Sequence, residues 1–350
     1  MNIQELLKAS VEKKSSDLHL LPGFRPLMRI DGKLTPEETY PVLTTDLVKE
    51  LVYSLMVKEE MTKFEEKRTI DMSLVFPDIG NFRLSVIHQL KGVSAVFRVI
   101  ADKIPSFEEL NLPPVFKKLL GLTNGLILVT GPTGSGKSTT LATMLDYINT
   151  FRNCHIITIE DPIEYVYQPK KCAINQIQVG RDTPDFSSAL RASLRHDPDV
   201  IMVGEMRDLE TISLAITAAE TGHLVMATLH ASSAPYAISR IADCFPTEEK
   251  NRVRNLLSES IQAVICQTLV KKATGTGRVA AFEIMLASPA IRNLIRQDMA
   301  AHMLSTIQTS GDMGMCTMEQ YLQVLAEKRL ITTAVARSTA LSRGQNLAGE

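Results

Sequence analysis

The sequence has no tryptophan, few aromatic residues and almost no net charge. Of its 350 residues 5% are aromatic, and the formal net charge is -1 at pH 7. A balanced charge creates no overall field that would attract nucleic acid or an anionic membrane. Scarce aromatic residues also leave few surfaces on which unpaired bases can stack. The composition therefore disfavours a nucleic-acid translocase, and we expect no nucleic-acid partner.

The sequence also lacks paired cysteines and long apolar runs. No stretch approaches the ~20 apolar residues that span a bilayer, and the first twenty residues contain no signal-peptide core. The absence of any Cys-x-x-Cys pair disfavours a zinc site, and scattered thiols suit a reducing compartment. We therefore expect a cytoplasmic protein that contacts a membrane through partners alone. The scattered thiols are Cys154, Cys172, Cys244, Cys266 and Cys316.

Two domains and a linker are predicted from the pattern of the chain. Residues 1–100 combine helical and strand-like spacing, as in a small α+β domain. Residues 101–114 contain three prolines among polar residues, which predicts a linker. From 115 to 350 helical and strand-like segments alternate, which predicts an α/β domain with a mostly parallel sheet. Its end, beyond residue 247, is expected to be largely helical apart from 279–284. Buried strands are expected at 126–130, 155–159, 199–203 and 224–229.

The strongest motif is Gly-Pro-Thr-Gly-Ser-Gly-Lys-Ser-Thr, a phosphate-binding P-loop. It lies between a strand-like run and a helix-like segment, which is the context such a loop requires. Its glycines let the backbone approach an anion, and the N–H groups at the helix N-terminus face the phosphates. We expect Lys137 to reach the outer phosphates and the Ser138 hydroxyl to bind Mg²⁺. The motif comprises Gly131, Pro132, Thr133, Gly134, Ser135, Gly136, Lys137, Ser138 and Thr139.

Acidic residues follow two of the predicted strands. In ordinary P-loop NTPases an Asp ends the strand that here ends at 203. In this chain Gly204 stands in that place and Glu205 follows, so Glu205 is the candidate for orienting the attacking water. After the strand at 155–159 come Glu160, Asp161 and Glu164. Glu160 and Glu164 are the preferred candidates for the shell around the metal, whereas Asp161 equally suits a cap on the following turn.

Histidines and arginines supply further candidates. His230 follows a predicted strand at its C-terminal end, where ligands bind in such sheets. It is a candidate sensor of the γ-phosphate, with structural hydrogen bonding as the alternative. Arg83 and Arg98 lie fifteen positions apart, close to the spacing of facing positions across a hairpin. From spacing alone they are either surface residues or arginines that neutralise the phosphoryl group in a neighbouring subunit.

Four segments together resemble the secretion ATPase superfamily, whose members drive type IV pili and type II and type IV secretion. They are the P-loop at 131–139, IEDPIEY at 159–165, VGEMRD at 203–208 and TGHLVMATLHA at 221–231. The segments SSDLHL at 15–20 and RIDGKL at 29–34 extend the resemblance to nearly the whole chain. The resemblance implies a RecA-like P-loop NTPase domain with a smaller, PAS-like N-terminal domain. It also implies a homohexameric ring with ATP and Mg²⁺ bound between subunits.

The resemblance further implies roles for single residues. Glu205 matches the catalytic glutamate of an atypical Walker B motif, and Glu164 matches the acid of the aspartate box. His230 and Thr221 match residues that approach the γ-phosphate. The two arginines of the N-terminal domain, Arg83 and Arg98, match its arginine fingers.

One segment indicates which machine is served. Residues 290–297, AIRNLIRQ, resemble the AIRNLIRE signature of the ATPases that retract type IV pili, with Gln297 in place of Glu. The implied function is a motor that depolymerises a pilus and engages an inner-membrane platform protein. An ATPase of a type IV secretion system is the alternative. A nucleotide-sensing scaffold without activity is disfavoured by the intact Lys137, Ser138 and Glu205.

Overall fold

The computed structural model describes residues 1–30, 32–100 and 103–347. Residues 101 and 102, which begin the predicted linker, lie outside the described residues. No helix in these described ranges is both long and apolar enough to cross a membrane. The chain forms two compact units, each with its own core. The first comprises Met1–Lys103 and Pro162–Val166, and the second comprises Ile104–Asp161 and Tyr167–Glu350.

The first unit is a six-stranded antiparallel sheet with helices packed on it. The strand order is β3-β2-β1-β6-β5-β4. Along β5 the apolar side chains of Phe82, Leu84 and Val86 alternate with polar ones and are buried in the core. Leu7 and Phe64 pack against them from the helices. The elements are α1 (Ile3–Glu12), β1 (Asp17–Leu20), β2 (Leu27–Ile30), β3 (Lys33–Pro36), α2 (Thr45–Tyr53), α3 (Lys58–Lys67), β4 (Thr69–Phe76), β5 (Gly80–Gln89) and β6 (Gly92–Ile100).

A row of polar residues crosses the opposite face of this sheet. Arg83 pairs directly with Arg98 on the neighbouring strand, which confirms the facing positions predicted from their spacing. Arg98 in turn pairs with Asp17, and Asp17 pairs with Arg29. At the other end of the row Ser73 pairs with Arg83. The register therefore places three guanidinium groups and one carboxylate side by side.

The second unit is a seven-stranded sheet with helices on both faces. The strand order is β13-β12-β7-β11-β10-β8-β9, and all neighbours are parallel except β12 and β13. The elements are α4 (Pro114–Leu119), β7 (Gly125–Thr130), α5 (Lys137–Phe151), β8 (His155–Glu160), β9 (Ala173–Gln178), α6 (Phe186–Ser193), β10 (Val200–Val203), α7 (Leu209–Glu220), β11 (Leu224–Leu229), α8 (Ala234–Asp243), α9 (Thr247–Ser260), β12 (Ile261–Lys271), β13 (Arg278–Leu286), α10 (Pro289–Arg296), α11 (Ala300–Thr309), α12 (Met318–Glu327) and α13 (Thr333–Leu347).

Strands β7, β8, β10 and β11 are the four buried strands predicted from apolar runs. Every residue of β7, β10 and β11 is buried, as expected for strands covered on both faces. Helices α6 to α11 contribute to the main core together with strand residues such as Leu128, Ile201 and Val225. Helix α12 packs over β12 and β13 through Met318 and Leu322.

The structure differs from the sequence prediction at β9 and β12. β9 is a half-exposed edge strand, so it lacks the apolar run that marks a buried strand. β12 follows α9 directly, and the chain turns extended at Ile261 without Gly or Pro as a stop signal. Pairing with β7 and β13 selects the strand over a continued helix. The expectation of largely helical structure beyond residue 247 is therefore wrong for 261–271.

The AIRNLIRQ segment lies in α10 and its C-cap, and it packs into the second unit. Ile291 and Ile295 are buried in the main core. Arg292 donates to backbone carbonyls at the C-terminal end of α9, including that of Glu259 at 2.8 Å. These carbonyls lack partners within their own helix, so the guanidinium group satisfies them. Gln297, the departure from the signature, is the exposed C-cap residue of α10.

Candidate active site

The C-terminal ends of four parallel strands meet at one edge of the second sheet. The P-loop follows β7, and Glu160 ends β8. Glu205 lies two residues beyond β10, and His230 directly follows β11. Ligands of open α/β sheets bind at this edge, because loops from several strands converge there. The second unit therefore brings together the P-loop and three of the predicted catalytic residues.

The P-loop has the backbone that its glycines allow. Gly131, Gly134 and Gly136 have φ of 139°, 76° and 87°, a region that favours glycine. Lys137 begins α5, and its Nζ donates to the carbonyl oxygens of Gly131 at 2.9 Å and Pro132 at 3.0 Å. The ammonium group thus lies over the loop, and the N-terminus of a 15-residue helix points at it. This arrangement suits the binding of an anion such as a phosphate.

The remaining P-loop residues differ in exposure. Ser138 is exposed on the first turn of α5, where its hydroxyl is accessible to a metal ion. Ser135 is buried, and Thr139 is half-buried. The others at the outer rim are exposed: Pro132, Thr133 and Gly134.

Glu205 has two basic neighbours. Its Oε2 accepts a hydrogen bond from Nη2 of Arg207 at 2.7 Å, and its Oε1 lies 3.2 Å from Nε2 of His230. Burial acts to raise the pKa of Glu205, but the Arg207 hydrogen bond and the charges of Arg207, His230 and Lys137 outweigh it. The net pKa of Glu205 is below its ordinary value, so the carboxylate is ionised at neutral pH.

Packing explains why a glycine precedes Glu205. A Cβ on Gly204 would lie 3.1 Å from the carbonyl oxygen of Ile159 and 3.3 Å from the Cα of Glu160. The backbone N–H of Gly204 also donates to the same Ile159 oxygen at 2.7 Å. A larger residue would push β8 and β10 apart at the catalytic edge. Close packing of the strand ends therefore disfavours the usual Asp at this position.

Arg207 is expected to set the acid limit of catalysis. In the role expected for Glu205 the carboxylate is ionised, so activity should be lost as pH falls through its pKa. In Arg207→Ala the Glu205 carboxylate loses the hydrogen bond and the charge that most oppose its burial, so we expect the acid limb of kcat to move to higher pH. Steady-state phosphate release measures this shift when the pH series runs from neutral to below 4.5, the ordinary pKa of a glutamate. Arg207→Lys keeps the charge and is the matched control. Superimposable profiles for Arg207→Ala and the wild type would contradict this assignment.

The other candidate acids, Glu160, Asp161 and Glu164, differ in burial and in the unit to which they belong. Glu160 is buried, and its Oε1 accepts from the Thr158 hydroxyl at 2.7 Å and from Nε2 of Gln176 at 3.2 Å. These contacts orient Glu160 within the second unit. Asp161 is exposed, and its charge helps to raise the pKa of Arg207 after the larger effect of the Glu205 hydrogen bond. Glu164 lies in the segment 162–166 that belongs to the first unit.

Thr221 lies at a different end of β11 from His230. It is the C-cap of α7, and its hydroxyl donates to the carbonyl of Thr217 at 2.9 Å. It precedes β11, whereas His230 follows that strand. Six strand residues at about 3.3 Å each put roughly 20 Å between the two edges of the sheet. Within one chain Thr221 therefore lies apart from the P-loop edge, and its approach to a γ-phosphate stays a prediction.

Arg83 and Arg98 lie in the first unit. Arg98 is exposed, and its Nε donates to Oδ1 of Asp17 at 2.9 Å. The carbonyl of Ile163, next to Glu164, accepts from the Ser73 hydroxyl at 3.3 Å, one strand from Arg83. Three predicted site residues thus belong to one face of the first unit.

Sequence reasoning missed two residues that contact the site. Arg207 falls inside the VGEMRD segment, so its signal was present two positions after Glu205. Gln267 contacts the P-loop from β12, and no motif marks it. A cavity of about 270 Å³ opens beside Gln267, and its lining includes Gly131, Pro132, His230, Tyr236 and Arg240.

Two known proteins resemble the chain over nearly its whole length. The chain is 53% identical over 340 residues to the type IV pilus retraction ATPase PilT of Pseudomonas aeruginosa, covering 97% of this chain and 98% of that one. It is 45% identical to a twitching motility protein of Neisseria gonorrhoeae, covering 97% and 90% of the two chains.

A solved structure and a family model extend the comparison. The crystal structure of the pilus retraction motor PilT with bound ADP superposes with a TM-score of 0.90 at 46% identity, covering 96% of each chain. This match confirms the predicted fold class, a RecA-like α/β ATPase domain with a smaller N-terminal domain. The family model described as "Type II/IV secretion system protein" matches residues 1–337. With its P-loop, its ionised Glu205 and these likenesses, the chain belongs to the Type II/IV secretion system protein family.

Proposed function

We propose that this chain is the subunit of a homohexameric motor that hydrolyses ATP to retract a type IV pilus. Near-full-length likeness to a pilus retraction ATPase and to a twitching motility protein supports both the ATPase activity and retraction. The observation that carries the chemistry is the cluster of Lys137, Glu205 and His230 at one strand edge. Such a cluster suits phosphoryl transfer to an oriented water.

The chain's own groups suit ATP and Mg²⁺. The glycine backbone of the P-loop and the N-terminus of α5 form a phosphate cradle, with Lys137 beside it. The exposed Ser138 hydroxyl would hold Mg²⁺, which neutralises charge on the β- and γ-phosphates. Glu205, ionised and steadied by Arg207, would orient the attacking water. Glu160 and Glu164 remain our candidates for the shell around the metal, and His230 for sensing the γ-phosphate.

Arg83 and Arg98 suit the role of arginine fingers offered to a neighbouring subunit. Asp17 binds Arg98 through Nε, which leaves the terminal amino groups of that guanidinium free to point outward. Burial acts to raise the pKa of Asp17, but Arg98 and Ser16 hold it below the ordinary value, so the carboxylate stays charged. Arg83 forms no hydrogen bond or ion pair within the described part of the chain. Both guanidinium groups can therefore approach an anion.

The motor cycle would follow from unequal contacts before and after hydrolysis. Arginines that bind a γ-phosphate lose that contact when phosphate leaves, and this differential affinity can shift the angle between domains. The 101–114 linker would be the hinge. The moving ring would act on a platform protein at the cytoplasmic face of the inner membrane.

An ATPase of a type IV secretion system is the second candidate, because the family description names type II and type IV secretion systems. The AIRNLIRQ segment and the high identity to a retraction ATPase favour retraction.

The test is genetic. In a strain deleted for this gene, we expect piliated cells that no longer twitch, with secretion intact. The wild-type gene should restore twitching, and Glu205→Ala should not. Normal twitching with failed secretion would instead establish the export function. Light scattering of the purified chain with and without ATP would show whether a hexamer forms, and a persistent monomer would exclude the ring.

A further inference from the structure

Strand β12 carries a buried amide against the P-loop. Cys266 aligns with Thr130 in the parallel β12–β7 pair, so Gln267 lies beside Gly131. Gln267 is 2% exposed. Its Nε2 donates to the carbonyl oxygen of Ser135 at 2.8 Å, and its Oε1 accepts from the Thr140 hydroxyl at 2.7 Å. One side chain therefore joins the loop to the first turn of α5.

The chemistry of the two partners requires an amide at this position. A backbone carbonyl only accepts hydrogen bonds, so the amino group of Gln267 must face Ser135. The carboxamide oxygen then faces Thr140 and accepts its hydroxyl proton. A glutamate would place a carboxylate oxygen against the Ser135 carbonyl and repel it. An apolar side chain would leave a buried carbonyl and a buried hydroxyl without this partner, which is costly.

The Ser135 contact also fixes the direction of an N–H group. In a trans peptide the C=O and the following N–H point in opposite directions. With the Ser135 carbonyl held towards Gln267, the N–H of Gly136 points to the other side of the loop. Backbone N–H groups on that side are the ones that cradle phosphates in such loops. Gln267 therefore orients the Gly136 N–H as a hydrogen-bond donor to phosphate, and it does so through the Ser135 carbonyl.

Two motif glycines show how closely β12 packs on the loop. A Cβ on Gly131 would lie 2.2 Å from the backbone oxygen of Gln267. A Cβ on Gly136 would lie 2.9 Å from Nε2 of Gln267. Both glycines also have positive φ. The space that a side chain would need is therefore filled by Gln267, and the loop and the strand form one packed unit.

We propose that Gln267 is a positioning residue for nucleotide binding, acting through the Ser135–Gly136 peptide and Thr140. This role rests on the proposed nucleotide site at the P-loop. Phosphates are held by the cradle both in the ground state and in the transition state. Loss of Gln267 should therefore weaken nucleotide binding more than it slows turnover at saturation.

Gln267→Met tests the proposal, because Met is similar in length and forms no such hydrogen bonds. We expect the Kd of a fluorescent ADP analogue with Mg²⁺ and the KM for ATP to rise about tenfold, as for a lost interaction of typical strength. We expect kcat to fall less than about threefold, the sign of an interaction shared by both states. Gln262→Met is the matched control, since Gln262 lies on the same strand and is contacted by Arg292 at 3.2 Å. Its Kd should stay at the wild-type value.

Further variants keep the test decisive. Thr140→Val should raise Kd by a smaller factor than Gln267→Met does, and Thr140→Ser, which keeps the hydroxyl, should have the wild-type Kd. If Gln267→Met does not fold, the comparison of Thr140→Val with Thr140→Ser decides the question. Equal Kd values for these two variants would overturn the positioning role of Gln267. A folded Gln267→Met with a lowered unfolding midpoint but unchanged Kd also overturns it. Lys137→Ala separates a failure of the nucleotide site from a failure of the role of Gln267. Unchanged nucleotide affinity in Lys137→Ala would refute the nucleotide site itself. Lost affinity in Lys137→Ala with unchanged affinity in Gln267→Met would refute only the role of Gln267.

Discussion

Glu205→Gln should abolish ATP turnover while nucleotide binding is kept. Gln has the size of Glu and can still contact Arg207 and His230, so the fold of the strand end is preserved. It lacks the charge that orients and polarises the attacking water. Removal of one preorganised electrostatic group typically costs about 10²–10³-fold in kcat, and we expect a loss of that size. Phosphate release at saturating ATP measures it, and fluorescence of a bound nucleotide analogue measures the affinity.

The control for Glu205→Gln is a Glu-to-Gln substitution outside the candidate active site. Glu210→Gln removes an equal charge from the first turn of α7, where the exposed Glu210 pairs with Arg191. Its turnover should match the wild type. Retention of more than a third of wild-type kcat by Glu205→Gln would show that another group orients the water. Affinity for nucleotide should change less than about threefold, because the role proposed for Glu205 concerns the attacking water rather than the bound phosphates.

Arg98→Ala should be nearly inactive, and a second inactive variant should rescue it. An arginine finger supplied in trans is worth about 10³–10⁵ in kcat, so we expect at least a thousandfold loss. Arg29→Ala is the matched control, because Arg29 flanks the same Asp17 carboxylate at 3.7 Å. Its loss leaves Arg98 in place, and its turnover should stay close to the wild type.

Mixed rings then locate the site between subunits. Arg98→Ala chains keep Glu205, and Glu205→Gln chains keep Arg98. Co-expression of the two should produce rings in which roughly a quarter of the interfaces combine both intact groups, since head-to-tail contacts pair different faces of adjacent chains. We expect substantial recovery of turnover over either variant alone. Mixed rings as inactive as the parents would mean that each chain builds its site by itself.

Local patterns were sufficient for much of the catalytic domain. Apolar runs located β7, β8, β10 and β11, because parallel strands buried on both faces have no polar side. The P-loop motif and the strand-end acid Glu205 were also recognised from the sequence, since their chemistry depends on short, fixed spacing. The facing of Arg83 and Arg98 followed from hairpin spacing and is confirmed by the register.

Long-range pairing determined the remainder. β12 has no stop signal between it and α9, and its partners β7 and β13 alone decide that it is a strand. The buried contact of Gln267 with the loop 132 residues earlier follows from that pairing. Thr221 shows that residues of one sequence motif can lie far apart in the fold. It shares the segment 221–231 with His230, but strand β11 between them places the two at opposite edges of the sheet.

The sequence by itself determined the phosphate chemistry and the family, because a P-loop with its acid and histidine is encoded in contiguous stretches. Only the tertiary structure decided which distant side chains support that chemistry, such as Gln267 beside the loop. Side-chain contacts of this kind depend on sheet order and register. Those are set by packing across the whole domain rather than by neighbouring residues.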